Sequence, residues 1–433
     1  MVESILIKDV SWVVTQNPKR EILKDQSVYI EDGKITKIGK IDEKADLILD
    51  GKNKLVMPGL INTHTHLGMT VLRGYLDDME LQAWLKKSWS VESKLTKEDV
   101  YLSSLLGCIE MIKNGITILN DMYFFGDSVL KAVDESGMRG MFSQAILDTP
   151  FMESKTIDGS FSILENLIKK WGGNNRTLLS IGPHAIYTCS KDTLIKTKEF
   201  AEKHNLLIHT HLSETKKEVE DCKKKIGKTP VEYLDSINFL SQNVIAAHCC
   251  WVTEEEIKTL KKYDVKVSHC PVSNLKTTSG IAPVPGMISN GLCVSLGTDS
   301  AASNNRLDLF QEMKFAALLH KLNTNNPTVI PAQTALDLAT INGAKALGLE
   351  NQIGSLEVGK RADLIIFGLK KPHLTPISSK ESVVSHLIYS ATGNDVETVI
   401  VDGKIIMKNK KILTVDEEKT YKDINELVTR LLK

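Results

Sequence analysis

From Leu55 to about Asn351 the chain repeats one pattern eight times: a short run of apolar and β-branched residues, then a stretch with helical period. The strand-like runs are Leu60 to His66, Ile116 to Asn120, Arg139 to Ser143, Leu178 to Gly182, Leu206 to His211, Val244 to His248, Val265 to Ser268 and Cys293 to Gly297. Between and after them, helices are predicted over Thr96 to Asn114, Val129 to Ser136, Phe161 to Trp171, Lys191 to His204, Thr215 to Ile226, Thr253 to Tyr263, Leu307 to Leu322 and Ala332 to Leu347. Thr96 can cap the first, with Asp99 three residues on and Gly115 as the stop. Strands that alternate with helices pair in parallel, and eight of them close into a (β/α)8 barrel. The fold class is therefore α/β, with a barrel of about 290 residues, somewhat above the usual size.

The two ends of the chain read differently. SILIKDVSWVVT, SVYIEDGKITKIG and DLILDG before the barrel, and GSLEVGKRADLIIFG and TVIVDGKIIMKNKKILT after it, are strand-like, with Asp32-Gly33 and Asp402-Gly403 as hairpin signals. Neither end has enough strands for a stable sheet alone. Both ends are thus expected to build one smaller β-sandwich module. The division is 1–56 for the first part of the module, 57–350 for the barrel and 351–433 for the rest, closed by a helix from Asp416 to Leu432.

Lys plus Arg (54) balances Asp plus Glu (54), with no basic stripe and no acidic tail. That argues against a nucleic-acid or anionic-membrane partner and for a small molecule. The N-terminus carries Glu3, Lys8 and Asp9 among its apolar residues, unlike a signal peptide, and no stretch is long enough to span a bilayer. A cytoplasmic protein is expected, with association of identical chains left open. The seven cysteines are scattered and none forms Cys-x-x-Cys, which suits buried reduced thiols.

The ends of the barrel strands carry the chemistry. In LINTHTH, positions i and i+2 of an extended strand put His64 and His66 on one side and Thr65 on the other. Strand five ends in His211, strand six in His248, and strand eight is followed by Asp299. Barrel active sites lie at this C-terminal rim. Three imidazoles and a carboxylate suit zinc, with room for a water. His209 shares the face of His211, but Glu214 follows His211 by three residues, so His211 is the preferred ligand and His209 a hydrogen-bonded core residue. The residues alone leave His248 open between holding the metal and acting on the water. His269, ending strand seven in SHCPVSN, reads as a supporting residue. His184, ending strand four, is a candidate substrate contact.

The motifs PGLINTHTHLG, HLSET, AAHC, SHCPVSN, GTDSAASNN and GSLEVGKRADLI resemble those of the amidohydrolase superfamily, in its aminohydrolase branch, almost end to end. LRGYLDDMELQAWL followed by SVES is similar to the methylthioadenosine/S-adenosylhomocysteine deaminases of that branch. The resemblance implies one divalent ion, zinc first and iron second, held by His64, His66, His211 and Asp299. Strand four carries no lysine, in agreement with one metal rather than two. Glu214 and His248 would move protons, with Asp299 assisting. Glu92, in SVES, matches the residue that holds ribose hydroxyls, and His184, Glu214 and Asp299 would also meet the substrate.

The implied reaction adds water to an amino-bearing ring carbon such as adenine C6. Glu214 protonates the neighbouring ring nitrogen, and ammonia leaves. Relatives of this kind carry arginines where this chain has Gln144 and Ser162, with Lys155 as a substitute from the loop; this weakens the case for a substrate ending in a charged amino acid. The competing enzyme reading is another member of the branch, a guanine or cytosine deaminase or a triazine chlorohydrolase, in which Glu92 would have no ribose to read. A non-catalytic scaffold is the reading of a different class, and the filled ligand positions speak against it.

Overall fold

The computed structural model describes residues 3–79 and 81–431; Glu80 of the LRGYLDDMELQAWL stretch and the outermost residues of the first and last expected segments, Leu432 of the closing helix among them, lie outside these. Eight parallel strands form the barrel sheet, each paired with the next: Leu60–Thr65, Ile116–Tyr123, Arg139–Ile146, Thr177–Pro183, Leu207–Leu212, Val244–His248, Lys266–His269 and Val294–Leu296. Side-chain and backbone hydrogen bonds close the seam between the first and the eighth. Asn62 Nδ2 donates to Thr298 Oγ1 at 2.7 Å, Thr298 N–H returns to Asn62 Oδ1 at 3.0 Å, and Asp299 N–H donates to the His64 carbonyl at 3.0 Å. Only glycine fits at Gly297 in this seam, since a Cβ would stand 2.7 Å from both His64 Cβ and Ser268 Oγ.

Apolar residues plug the barrel at the ends where its strands begin. Ile61, Ile118, Met141 and Ile245 pack there against Ala344, Leu347, Leu349 and Ile353. The interior turns polar higher up, where Thr63 Oγ1 meets Ser268 Oγ at 2.7 Å and Ser295 Oγ at 2.9 Å. Polar groups are tolerated in such a core only when paired, as these are.

The helix over Lys97–Lys113 has the expected cap: Thr96 accepts from Asp99 N–H while Asp99 accepts from Thr96 N–H. One expected helix is corrected. Ala332 to Leu347 is two helices, Ala332–Leu338 and Ile341–Ala346. The break has a cause in the barrel: the Ala339 carbonyl accepts from Ile61 N–H of the first strand at 2.9 Å, and Thr340 leaves helical geometry with φ −128° and ψ −94°. Helices in regions read without one are also present, the longest being Leu81–Glu92 and Lys380–Tyr389.

The module is a mixed sheet of nine strands drawn from both ends of the chain. Its join is Lys54–Pro58, which runs parallel to Ser4–Val14 on one side and antiparallel to Leu364–Gly368 on the other, with Pro58 opposite Leu364. Asp32-Gly33 and Asp402-Gly403 make tight turns with left-handed φ at all four residues, as hairpins of the mirror-image type require. All seven cysteines are buried and unpaired. Among the described residues no helix is long and apolar enough to cross a membrane.

Candidate active site

The barrel brings His64, His66, His211, His248 and Asp299 to one point. Two sets of donor atoms, His64/His66/Asp299 and His64/His211/His248, each lie within 4.8 Å of one another and share His64. His64 stands edge-on to His66 with ring centres 4.8 Å apart, and His211 stacks between His66 (5.3 Å) and His248 (5.4 Å). The backbone is left-handed at His248 (φ 71°) and Asp299 (φ 58°), a conformation that costs energy away from glycine and clusters at functional sites.

The donor set fits a cation. His66 Nδ1 donates to the Met122 carbonyl at 2.7 Å, and His211 Nδ1 donates to the His184 carbonyl at 2.8 Å. Burial holds the His211 imidazole well below its ordinary range, so that ring is neutral and, with its one N–H on Nδ1, presents a bare lone pair at Nε2. The Nε2 atoms of His66 and His211 face each other at 3.3 Å, a contact that a metal ion or a shared proton would join. His64 Nε2 is buried without a hydrogen-bond partner, and Asp299 Oδ1 lies 3.6 Å from it and 3.3 Å from His66 Nε2. Burial pushes the His64 imidazole down to about 3, so it too is neutral. Imidazole nitrogens converging on a carboxylate are a donor set that could hold a metal ion.

Asp299 is pinned on every side. Ser273 Oγ donates to Oδ2 at 2.5 Å, Ser303 Oγ donates to the same oxygen at 3.0 Å, and Ser300 N–H donates to Oδ1 at 2.7 Å. Burial alone would raise its carboxyl, but His64, then His66 and His248, hold it well below the ordinary carboxylate range. Glu214 Oε2 stands 4.0 Å from His248 Nε2, and Glu214 Oε1 accepts from Ser279 Oγ at 3.1 Å. Burial pulls His248 down, while Glu214 and Asp299 more than offset it, so the net shift is upward.

Glu92 and His184 line the same cavity, of about 820 Å³, as His66, His211, Glu214, His248 and Asp299. Glu92 is buried at the end of helix Leu81–Glu92, where it accepts from Ser88 Oγ at 2.6 Å and Tyr123 Oη at 2.7 Å. Burial pushes its carboxyl above the usual range despite these donors. His184 is pushed down to about 3 by burial and accordingly neutral, with Nδ1 2.9 Å from Thr188 Oγ1. The wall also carries the apolar side chains Trp84, Trp89, Phe124, Leu147, Phe151 and Ile186, together with the charged residues Lys86, Lys217, Asp221 and Lys225. Gln144, Ser162 and Lys155 are not among the lining residues. Gln144 is buried in strand three with Nε2 toward the Ala145 carbonyl, and Ser162 is exposed on helix Ile157–Trp171.

Two residues matter more than the sequence suggested. His209 Nε2 lies 2.8 Å from His64 Nδ1, and Ser143 Oγ lies 3.1 Å from His209 Nδ1. His209 is the expected hydrogen-bonded core histidine, and its partner is a member of the cradle. Glu218 accepts from the N–H groups of Ser213 (3.1 Å) and Glu214 (2.7 Å), holding the backbone that carries Glu214. Its burial pushes the carboxyl up to about 7. Its spacing, four residues after Glu214 in the first turn of a helix, is the signal that could have found it. His269 meets His320, Nε2 to Nε2, at 3.2 Å, and does not line the cavity.

Comparison with known proteins agrees with this geometry. The chain is 48% identical to the 5′-deoxyadenosine deaminase of Methanosarcina acetivorans, over 98% of this chain and 99% of that one. It is 43% identical to the 5-methylthioadenosine/S-adenosylhomocysteine deaminase of Caldanaerobacter subterraneus, over 99% of each. Among solved structures, a zinc-bound adenosine deaminase from Xanthomonas campestris superposes with a TM-score of 0.96 at 32% identity, over 99% of this chain and 98% of that one. The family model described as amidohydrolase matches residues 55–406, from the join strand through the barrel and into the module, so the chain belongs to the amidohydrolase family.

Proposed function

We propose that the chain is a metal-dependent hydrolytic deaminase of adenosine-type nucleosides with an uncharged 5′ end, releasing ammonia and the inosine analogue. The observation that carries this reading is Glu92: a buried carboxyl group lining the cavity that also holds the Glu214–His248 pair and the cation cradle. Ribose hydroxyls would donate to such a carboxylate, and a free base lacks them. The relatives named for 5′-deoxyadenosine and methylthioadenosine point the same way.

His64, His66, His211 and Asp299 would hold one divalent ion, zinc in preference to iron. Such an ion lowers the pKa of water to about 7. The chain's own groups do the rest. His248 and Asp299 orient the attacking water and take its proton. Glu214 delivers a proton to the ring nitrogen beside the reacting carbon, which makes that carbon more electrophilic. The new C–O bond forms, the C–N bond breaks, and the amine leaves protonated as ammonia. The wall around Phe124, Leu147 and Phe151 favours an apolar 5′ substituent. Methylthioadenosine or 5′-deoxyadenosine should therefore match or exceed S-adenosylhomocysteine in kcat/KM. Elemental analysis of active protein should find one divalent ion per chain; two, or none, would refute the cradle.

The substrate test compares Glu92→Gln on 5′-deoxyadenosine and on free adenine. A hydrogen bond to a charged group contributes about 1.5–3 kcal/mol, so kcat/KM for the nucleoside should fall by roughly 10- to 150-fold. Turnover of free adenine should stay as it was. Equal losses on both would make a free-base hydrolase of the same family the better reading.

A further inference from the structure

Strand seven contributes no reacting group, yet the segment that follows it touches three. Ser273 donates to Asp299, Asn274 faces His248, and Ser279 donates to Glu214. We infer that Asn274 is a positioning residue: it fixes the His248 ring in the tautomer whose Nε2 is free to accept a proton. This rests on the deaminase reading for the choice of substrate, though not for the tautomer itself.

The geometry is direct. His248 Nδ1 lies 2.8 Å from Asn274 Oδ1, both groups buried. A side-chain amide oxygen only accepts, so the ring proton sits on Nδ1. In the neutral ring Nε2 is then the bare nitrogen, and it is the atom that faces Glu214 across 4.0 Å. With the opposite tautomer, Nε2 would carry the proton and could take none from a water. A neutral imidazole in water populates both tautomers, so a fixed acceptor on one nitrogen decides which is present.

The amide is held in this orientation at a cost. Asn274 Nδ2 is buried and has no partner among the described residues, which a residue kept only for packing would avoid. Its place along the chain is set from outside the site. Pro271 opens the short helix Pro271–Lys276, Glu312 accepts from Val272 N–H at 3.2 Å, and Trp251 Nε1 donates to the Ser279 carbonyl at 2.5 Å. The segment is thus anchored at both ends with Asn274 between the anchors. The SHCPVSN motif, which the reaction itself leaves without a role, gains one here through its last residue.

The test uses the zinc-loaded enzyme and two variants. Asn274→Leu removes the acceptor and Asn274→Asp keeps one. With 5′-deoxyadenosine, Asn274→Leu should lower kcat by roughly 10- to 100-fold, the usual loss for a partner that orients a working histidine, with KM little changed. Asn274→Asp should recover most of that loss. Metal content and Tm should match the parent in both. Nitrogen-15 spectra of histidine-labelled protein, with the His248 signals identified by His248→Ala, should show the proton on Nδ1 in the parent and in Asn274→Asp, and a mixture in Asn274→Leu. A parent with the proton on Nε2, or an Asn274→Leu enzyme with parental kcat, overturns the inference. So does a loss of kcat that tracks metal content or Tm. If the spectra come out as expected but no nucleoside is deaminated, the functional reading fails and the positioning role stands.

Discussion

Glu214→Gln is expected to lower turnover by roughly 10²- to 10⁴-fold, or about 3–5 kcal/mol in the barrier, while the protein keeps its full complement of metal. The substitution is nearly isosteric. Glutamine can still accept from Ser279 Oγ, which holds Oε1 at 3.1 Å, and Glu218 still fixes the backbone through the Glu214 N–H. What it cannot do is give up a proton to the ring nitrogen. Glu214 belongs to neither set of converging donor atoms, so the cradle of His64, His66, His211 and Asp299 stays complete. Ammonia release and elemental analysis on the same preparation make the measurement. Metal lost together with activity would place Glu214 among the ligands and remove its role as donor. The contrast is His211→Ala, which should lose both at once, because His66 and His211 face each other at 3.3 Å and one without the other is a poor ligand set.

The barrel was legible because its signal is periodic and long. Each strand-like run ended within a residue or two of the observed strand for six of eight, and His64, His66, His211 and His248 fell at those ends because a parallel barrel puts all such ends on one rim. The broken helix after residue 331 was not legible. Its apolar pattern is continuous, and the break comes from a hydrogen bond to Ile61, more than 270 residues away in the chain. Helix Leu81–Glu92 escaped for a related reason. It packs over an open cavity rather than a dry core, so Trp89, at 39% exposure, and Trp84 sit where an amphipathic pattern would have put polar groups. In the site, residue types were readable and pairings were not. His209 and Asn274 contact His64 and His248 from separate elements of the chain. Of the positions matched to the relatives' arginines, Gln144 is buried in strand three and Ser162 exposed on a helix.

Arg139→Met should destabilise the folded protein by about 3–5 kcal/mol, with the activity of the molecules that remain folded unchanged. Arg139 begins the third barrel strand, at the end of the barrel opposite the cavity. Its side chain is 3% exposed and that of its partner, Asp363, 1%. The pair is two-pronged: Nε to Oδ2 at 2.9 Å and Nη2 to Oδ1 at 3.2 Å, with Nη1 donating to the Asn175 carbonyl at 2.6 Å. Asp363 in turn accepts from Asp402 N–H at 2.7 Å, and its carbonyl accepts from Gly59 N–H at 3.0 Å. One guanidinium thus ties the barrel to the strand that joins the two chain ends and to a hairpin of the module. Removing only the arginine leaves a buried carboxylate without its counter-charge, which is the costly way to break such a pair. Arg139→Met with Asp363→Leu should recover part of the loss, because an apolar pair leaves no charge stranded; recovery stays incomplete, since Asp402 N–H loses its acceptor. Urea unfolding of parent, single and double variants measures both quantities. A single variant within 1 kcal/mol of the parent would mean the pair contributes no more than an exposed salt bridge does. A variant that is fully folded but inactive would mean the join between barrel and module reaches the active site after all.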